Sequence, residues 1–168
     1  VPGRKRKMDK LRTKINTVLK SDNFWKYACL GCFVIVNILY LYLALQKTFH
    51  YDESYSIGMI SNSFGDIIEI TAQDVHSPFY YFGLKLFCMI PGLSPLTGGK
   101  LFSWMFIILY MVFGGKIVRD KYGWQTCFYW LLLSGFIPSM MIQATTVRMY
   151  TMSLFFVTFA SYSAYSLY

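Results

Sequence analysis

The sequence predicts an all-α integral membrane protein, with about four transmembrane helices and two amphipathic helices lying in the interface of its first extracytoplasmic loop. Three observations carry this expectation. Of the 168 residues, 55% are hydrophobic and only 14% charged, against the roughly 25% charge usual in soluble domains. Four apolar runs approach the ~20 residues that a hydrocarbon core requires. The charges are also segregated: eight of the sixteen basic residues fall within residues 1–20, and five of the eight acids within 52–74.

Residues 1–24 read as a basic cytoplasmic tail. Lys and Arg beside a first apolar span hold that end in the cytoplasm, and the same cations suit anionic headgroups. No aromatic or glycine pattern accompanies them, so no nucleic-acid partner is expected. Span 1, WKYACLGCFVIVNILYLYLALQ (25–46), is too long for a signal-peptide core. The LALQKTFHYDE that follows offers no small-x-small cleavage site, so it reads as an uncleaved anchor. Residues 47–97 form an outer loop. Within YDESYSIGMISNSFGDIIEI, the residues Ile57, Ile60, Phe64, Ile67 and Ile68 recur at three- and four-residue steps, with serines and acids opposite, which predicts an amphipathic helix.

PFYYFGLKLFCMI (78–90) is the ambiguous element. As a helix it spans about 20 Å against a core of about 30 Å, and Lys85 sits in its middle. If it stays outside, the next span runs inward and delivers Lys116, Arg119 and Lys121 to the side of the basic tail, as charge bias favours. It is therefore expected to lie in the outer interface with Lys85 reaching toward headgroups. Span 2 (98–118), span 3 (125–144) and span 4 (151–168) follow. Ser134, Gly135 and Pro138 predict a kink in span 3. The last apolar run reaches the final residue without a cytoplasmic flank, so the chain is expected to be the first part of something longer. Cys29, Cys32, Cys88 and Cys127 are scattered through apolar segments and read as small apolar filler rather than a disulfide framework or zinc site.

This layout gathers four polar features on the outer face: Asp52–Glu53, Asp74 with His76, Lys85, and Arg148 with Tyr150. Charges close to lipid are costly unless paired or functional. A cleft holding a base beside anion-binding groups suits a substrate with an apolar tail and a phosphate head. Plain structural roles exist for each piece: Asp52 and Glu53 as helix-terminal acids, Asp74 or Ser77 as caps, Pro78 at N1, Lys85 and Arg148 as interfacial anchors, and Tyr150 in an aromatic belt.

The acidic pair in YDESY, then DVHSPFYY (Asp74, His76, Pro78, Tyr80, Tyr81), then Arg148–Met149–Tyr150 after a later span resembles the amino-terminal module of GT-C membrane glycosyltransferases. The bacterial family 39 type, similar to protein O-mannosyltransferases and the lipid A aminoarabinose transferase, is the nearest likeness. It covers roughly residues 25–168. Ser77 stands where the family usually has the first of two prolines, and Thr146–Val147 where it often has Glu-Ala. The resemblance implies an enzyme of the cell membrane, working on the extracytoplasmic side. It would transfer a sugar, with inversion, from a polyprenyl-phosphate donor to a lipid, glycan or protein acceptor. Asp52 would be the catalytic base with Glu53 in support; Asp74, His76, Lys85, Arg148 and Tyr150 would bind substrate. A divalent metal is an option, but no cofactor is certain, because the acid that can help hold a metal or substrate in relatives is missing here. The alternatives are a catalytically inactive, GT-C-like subunit that binds a lipid-linked sugar, and a transporter or flippase. The last would need polar groups at mid-depth, where the spans offer only Asn37 and scattered serines.

Overall fold

Serine, proline and glycine punctuate a chain that is otherwise helical. The structure, a computed structural model, describes residues 21–46, 49–74 and 76–167. Most of the basic tail, residues 1–20, and Tyr168 at the end of span 4 thus lie outside the described residues. Those that are described form seven helices and no strand: α1 (Asp22–Ala44), α2 (Tyr51–Ser61), α3 (Phe64–Ala72), α4 (Pro78–Cys88), α5 (Pro95–Phe136), α6 (Pro138–Ala144) and α7 (Tyr150–Ser166). Two of them, α1 and α5, are long and apolar enough to cross a membrane.

The amphipathic helix expected over the acidic part of the outer loop is two helices. Ser63 ends the first run by taking an extended backbone and accepting the Asp66 N–H at 3.2 Å, while the Asp66 carboxylate returns to the Ser63 N–H at 3.1 Å. That reciprocal cap starts a new helix. Ile60 and Ile67 are buried, whereas Phe64 and Ile68 of the same predicted stripe are exposed. The helix after it starts as Pro78 and its serine suggest: Ser77 accepts the Phe79 N–H and Pro78 occupies the first turn, where its missing N–H costs nothing.

Helix α5 is two helical arms joined at a sharp kink. Gly123 has φ 82° and ψ 175°, a conformation that a Cβ would disfavour, and it divides an arm over 95–122 from one over 124–136. The arms fold back on each other: the Cys127 thiol reaches the Gly115 carbonyl at 3.3 Å, and the rings of Tyr110 and Trp130 lie 5.3 Å apart. A Cβ on Gly114 would stand 2.6 Å from the Trp130 ring, so glycine permits the close approach. The second arm ends at Ile137, whose extended backbone (φ −67°, ψ 122°) precedes Pro138. Proline disfavours helical geometry in the residue before it. The single span expected over 125–144 is accordingly a 124–136 arm and the short α6.

Contacts give the segments their relative directions. Trp25 touches Phe128, and Tyr40 donates to the Gly135 carbonyl at 2.7 Å, so α1 runs parallel to the second arm of α5. Phe106 meets Phe155 and Phe156, and Phe113 meets Phe159 and Tyr162, so α7 runs parallel to the first arm. The result is an up-and-down bundle. Lys26, Lys116 and Arg119 line one groove at one end; Asp52 and Arg148 meet at the other. Helices α2, α3 and α4 pack together at that second end over Met59, Ile60, Ile67, Tyr80, Tyr81 and Leu84.

Candidate functional site

Two chain segments nearly a hundred residues apart are fastened together here, and one buried acid fastens them. Glu53, in the first turn of α2, is fully buried. One of its carboxylate oxygens accepts the His50 N–H at 2.8 Å, and the other accepts the Val147 N–H at 3.0 Å. The first bond caps α2; the second holds the 145–149 turn against that helix. Both oxygens of a buried carboxylate are thereby satisfied, as burial demands. Glu53 thus positions the chain through two backbone N–H groups. The turn is also seated from below: a Cβ on Gly99 would lie 2.4 Å from Cγ1 of Val147, so the first arm of α5 approaches the turn as closely as a glycine allows.

Fixing Val147 fixes Arg148. Its guanidinium meets the Asp52 carboxylate at 3.0 Å, the arginine side chain 12% exposed and the aspartate 66%. Nε of Arg148 is buried and, among the described residues, without a hydrogen-bond partner. Asp52 and Arg148 line a cavity of about 430 Å³ together with Tyr51, Ser54, Tyr55, Asp74 and His76. On its far wall, Nδ1 of His76 lies 2.7 Å from Oδ2 of Asp74, and the Tyr55 hydroxyl donates to the same oxygen. That bond holds the Tyr55 phenol above its ordinary pKa, with burial and the negative charge of Asp74 acting the same way and Arg148 opposing. Beneath, burial pushes the Tyr81 phenol up to about 12, and its hydroxyl has no hydrogen-bond partner among the described residues. Tyr55, His76 and Tyr81 form an aromatic group, with the His76 ring 5.6 Å from that of Tyr55 and 6.4 Å from that of Tyr81.

Of the residues singled out from sequence, Asp52, Asp74, His76 and Arg148 therefore share one cavity, with Glu53 buried behind it. Lys85 and Tyr150 stand elsewhere. Lys85 does not reach toward headgroups: its ammonium donates to the carbonyls of Ile60 at 2.9 Å and Asn62 at 2.7 Å, and it lies 5.4 Å from the Phe64 ring centre. A cation at a helix C-terminus finds unsatisfied carbonyls and the negative end of the dipole, and those hold Lys85 inward. Tyr150 is half-exposed and lines a separate groove with Gln143 and Leu154. Tyr55 escaped the sequence reading, although its place three residues after Asp52 puts it on the same helical face. Among the described residues no three His, Cys, Asp or Glu side chains gather as metal donors would, and Glu53 is already taken up by two backbone N–H groups. Comparison with protein-family models, curated proteins and solved structures found no match.

Proposed function

We propose that the chain is the amino-terminal module of a membrane glycosyltransferase that moves a sugar from a polyprenyl-phosphate donor to an acceptor hydroxyl at the extracytoplasmic face. In this reading α1, the two arms of α5 (the second continued by α6) and α7 are four crossings, and α2 to α4 rest in the outer interface. The observation that carries it is the meeting of Asp52 and Arg148 in a cavity at the end of the bundle away from Lys26, Lys116 and Arg119. The motifs that resemble GT-C enzymes contain these same two residues.

The chain's own groups take the following roles. An acceptor oxygen attacks the anomeric carbon and forms the new glycosidic bond with inversion. The bond from that carbon to the phosphate oxygen breaks, and its electron pair leaves with polyprenyl phosphate. The acceptor's proton goes to the Asp52 carboxylate. Arg148 has one nitrogen on Asp52 and a planar fork of further donors for phosphate oxygens, so charge grows on the leaving group beside a fixed cation. The Asp74–His76–Tyr55 group on the opposite wall orients sugar or acceptor hydroxyls. Lys85, committed to carbonyls, and Tyr150, in another groove, would reach a substrate only where it extends beyond this cavity.

The test is transfer from a radiolabelled polyprenyl-phosphate sugar by the full-length protein in membranes. Asp52→Asn is expected to lower the rate at least a hundredfold at unchanged expression, by analogy with the loss of a single transition-state charge. Near-normal transfer by that variant removes the base assignment. A second reading, a subunit that binds the lipid-linked sugar without turnover, is favoured by Asp52 already being paired and by Glu53 being committed to backbone. Donor binding without sugar release in the wild type would establish it.

A further inference from the structure

At the other end of the bundle lies a feature that sugar transfer does not use. Tyr27, Leu30 and Phe33 of α1, Met111, Val112 and Gly115 of the first arm of α5, and Trp124, Cys127 and Leu131 of the second enclose an apolar groove of about 390 Å³. From Lys26 to the outer end of α1 is eighteen helical residues, about 27 Å, so the groove lies near the opposite membrane surface from the Asp52 cavity. Its walls are exposed rather than closed: Tyr27 is 71% and Leu30 59% exposed. Three cations belong to its lining: Lys26, Lys116 and Arg119. Arg119 is paired with Asp120 at 2.7 Å and stacks 5.2 Å from the Trp124 ring. Lys26 and Lys116 are exposed and, among the described residues, have no acidic partner.

We infer that this groove is a binding site for one anionic phospholipid of the leaflet that the basic end of the chain faces, its acyl chain against Leu30, Val112 and Leu131 and its phosphate between Lys26 and Lys116. Any bilayer lipid satisfies the apolar walls, so the walls alone discriminate nothing. The two ammonium groups do discriminate, because each attracts an anionic headgroup and neither is neutralised by an acid among the described residues. A Cβ on Gly115 would stand 3.8 Å from Cys127 Sγ and 3.9 Å from Leu131, so this buried glycine lets the two arms of α5 close the back of the groove. Arg119, already held by Asp120, serves mainly to fix Trp124. The inference stands apart from the sugar-transfer reading and shares with it only the membrane-spanning bundle.

The experiment reads Trp124 in the full chain, with Trp25, Trp104 and Trp130 replaced by Phe, reconstituted in phosphatidylcholine vesicles. A fraction of the lipid carries brominated acyl chains on either phosphatidylglycerol or phosphatidylcholine. Brominated phosphatidylglycerol is expected to quench several-fold more effectively at low salt. Lys26→Gln and Lys116→Gln should each lower that preference by roughly fivefold, and Lys26→Arg should keep it. Equal quenching by the two lipids, or a preference untouched by both lysine substitutions, means ordinary boundary-lipid contact and overturns the site. No quenching by either lipid overturns the membrane-spanning bundle instead. Spin-labelled forms of the same lipids, compared for their immobilised fraction on the chain with all four tryptophans, repeat the comparison should the triple variant fail to fold.

Discussion

Arg148 is the residue on which the proposed chemistry turns, since among the described residues it is the one arginine or lysine lining the Asp52 cavity. Arg148→Ala should cut transfer by about a hundredfold to a thousandfold. Arg148→Lys should recover only part of it, because an ammonium cannot grip Asp52 and a phosphate with one planar fork. Rates and donor affinity measured together will separate a binding loss from a catalytic one. Tyr55 supplies a pH signature. Its phenol is raised above the ordinary value of about 10, so folding favours the protonated form. The stabilisation is complete below about pH 10 and is lost as pH rises through the higher folded value. The stability gap between wild type and Tyr55→Phe should therefore be flat from about pH 6 to 9 and close at more alkaline pH. A gap that instead grows with alkalinity contradicts the Tyr55–Asp74 bond.

At the scale of elements, the decisive contact is between the first arm of α5 and the 145–149 turn. Gly99→Ala places a methyl group 2.4 Å from Val147, and overpacking of this kind typically costs about 1–3 kcal/mol. Since Val147 also donates to Glu53, the strain should reach Arg148 and lower transfer by more than the stability loss explains. Gly58→Ala, where a Cβ meets nothing within 4 Å, is the control: it should leave transfer intact and stability unchanged or slightly raised, since alanine is favoured over glycine inside a helix. Thermal midpoints and transfer rates of the two variants make the comparison. The other elements obey local rules. Ser63 and Asp66 cut the outer-loop helix in two, and Lys85 turns inward to cap α2, because unsatisfied carbonyls at a helix end outcompete a distant headgroup.

For the whole molecule, the charge layout makes one topological prediction. Ser54 and Asp120, both exposed, lie at opposite ends of the bundle. In a chain whose four native cysteines are replaced by serine or alanine, Ser54→Cys should react with an impermeant maleimide only from outside, and Asp120→Cys only from the cytoplasmic side. Labelling of both from one side contradicts the proposed orientation. The bundle itself explains why opposite charges collect at opposite ends. Apolar side chains such as Val36, Ile107 and Met111 fill its middle, and Asn37, a polar residue there, donates to the Phe33 carbonyl at 2.8 Å within its own helix.

Helix itself, its apolar character, the helix start at Pro78 and the break near Pro138 were legible along the chain, because periodicity, capping and proline geometry act over a few residues. So was the candidacy of Asp52, Asp74, His76 and Arg148, polar groups set at the ends of apolar runs. Which of them meet was decided by tertiary structure alone. Glu53 holds Val147 across ninety-four residues, Gly99 admits the turn, and Lys85 is drawn off to carbonyls that a linear reading cannot weigh. Local rules say where a side chain starts; only the packed backbone says which partner lies within 3 Å of its tip.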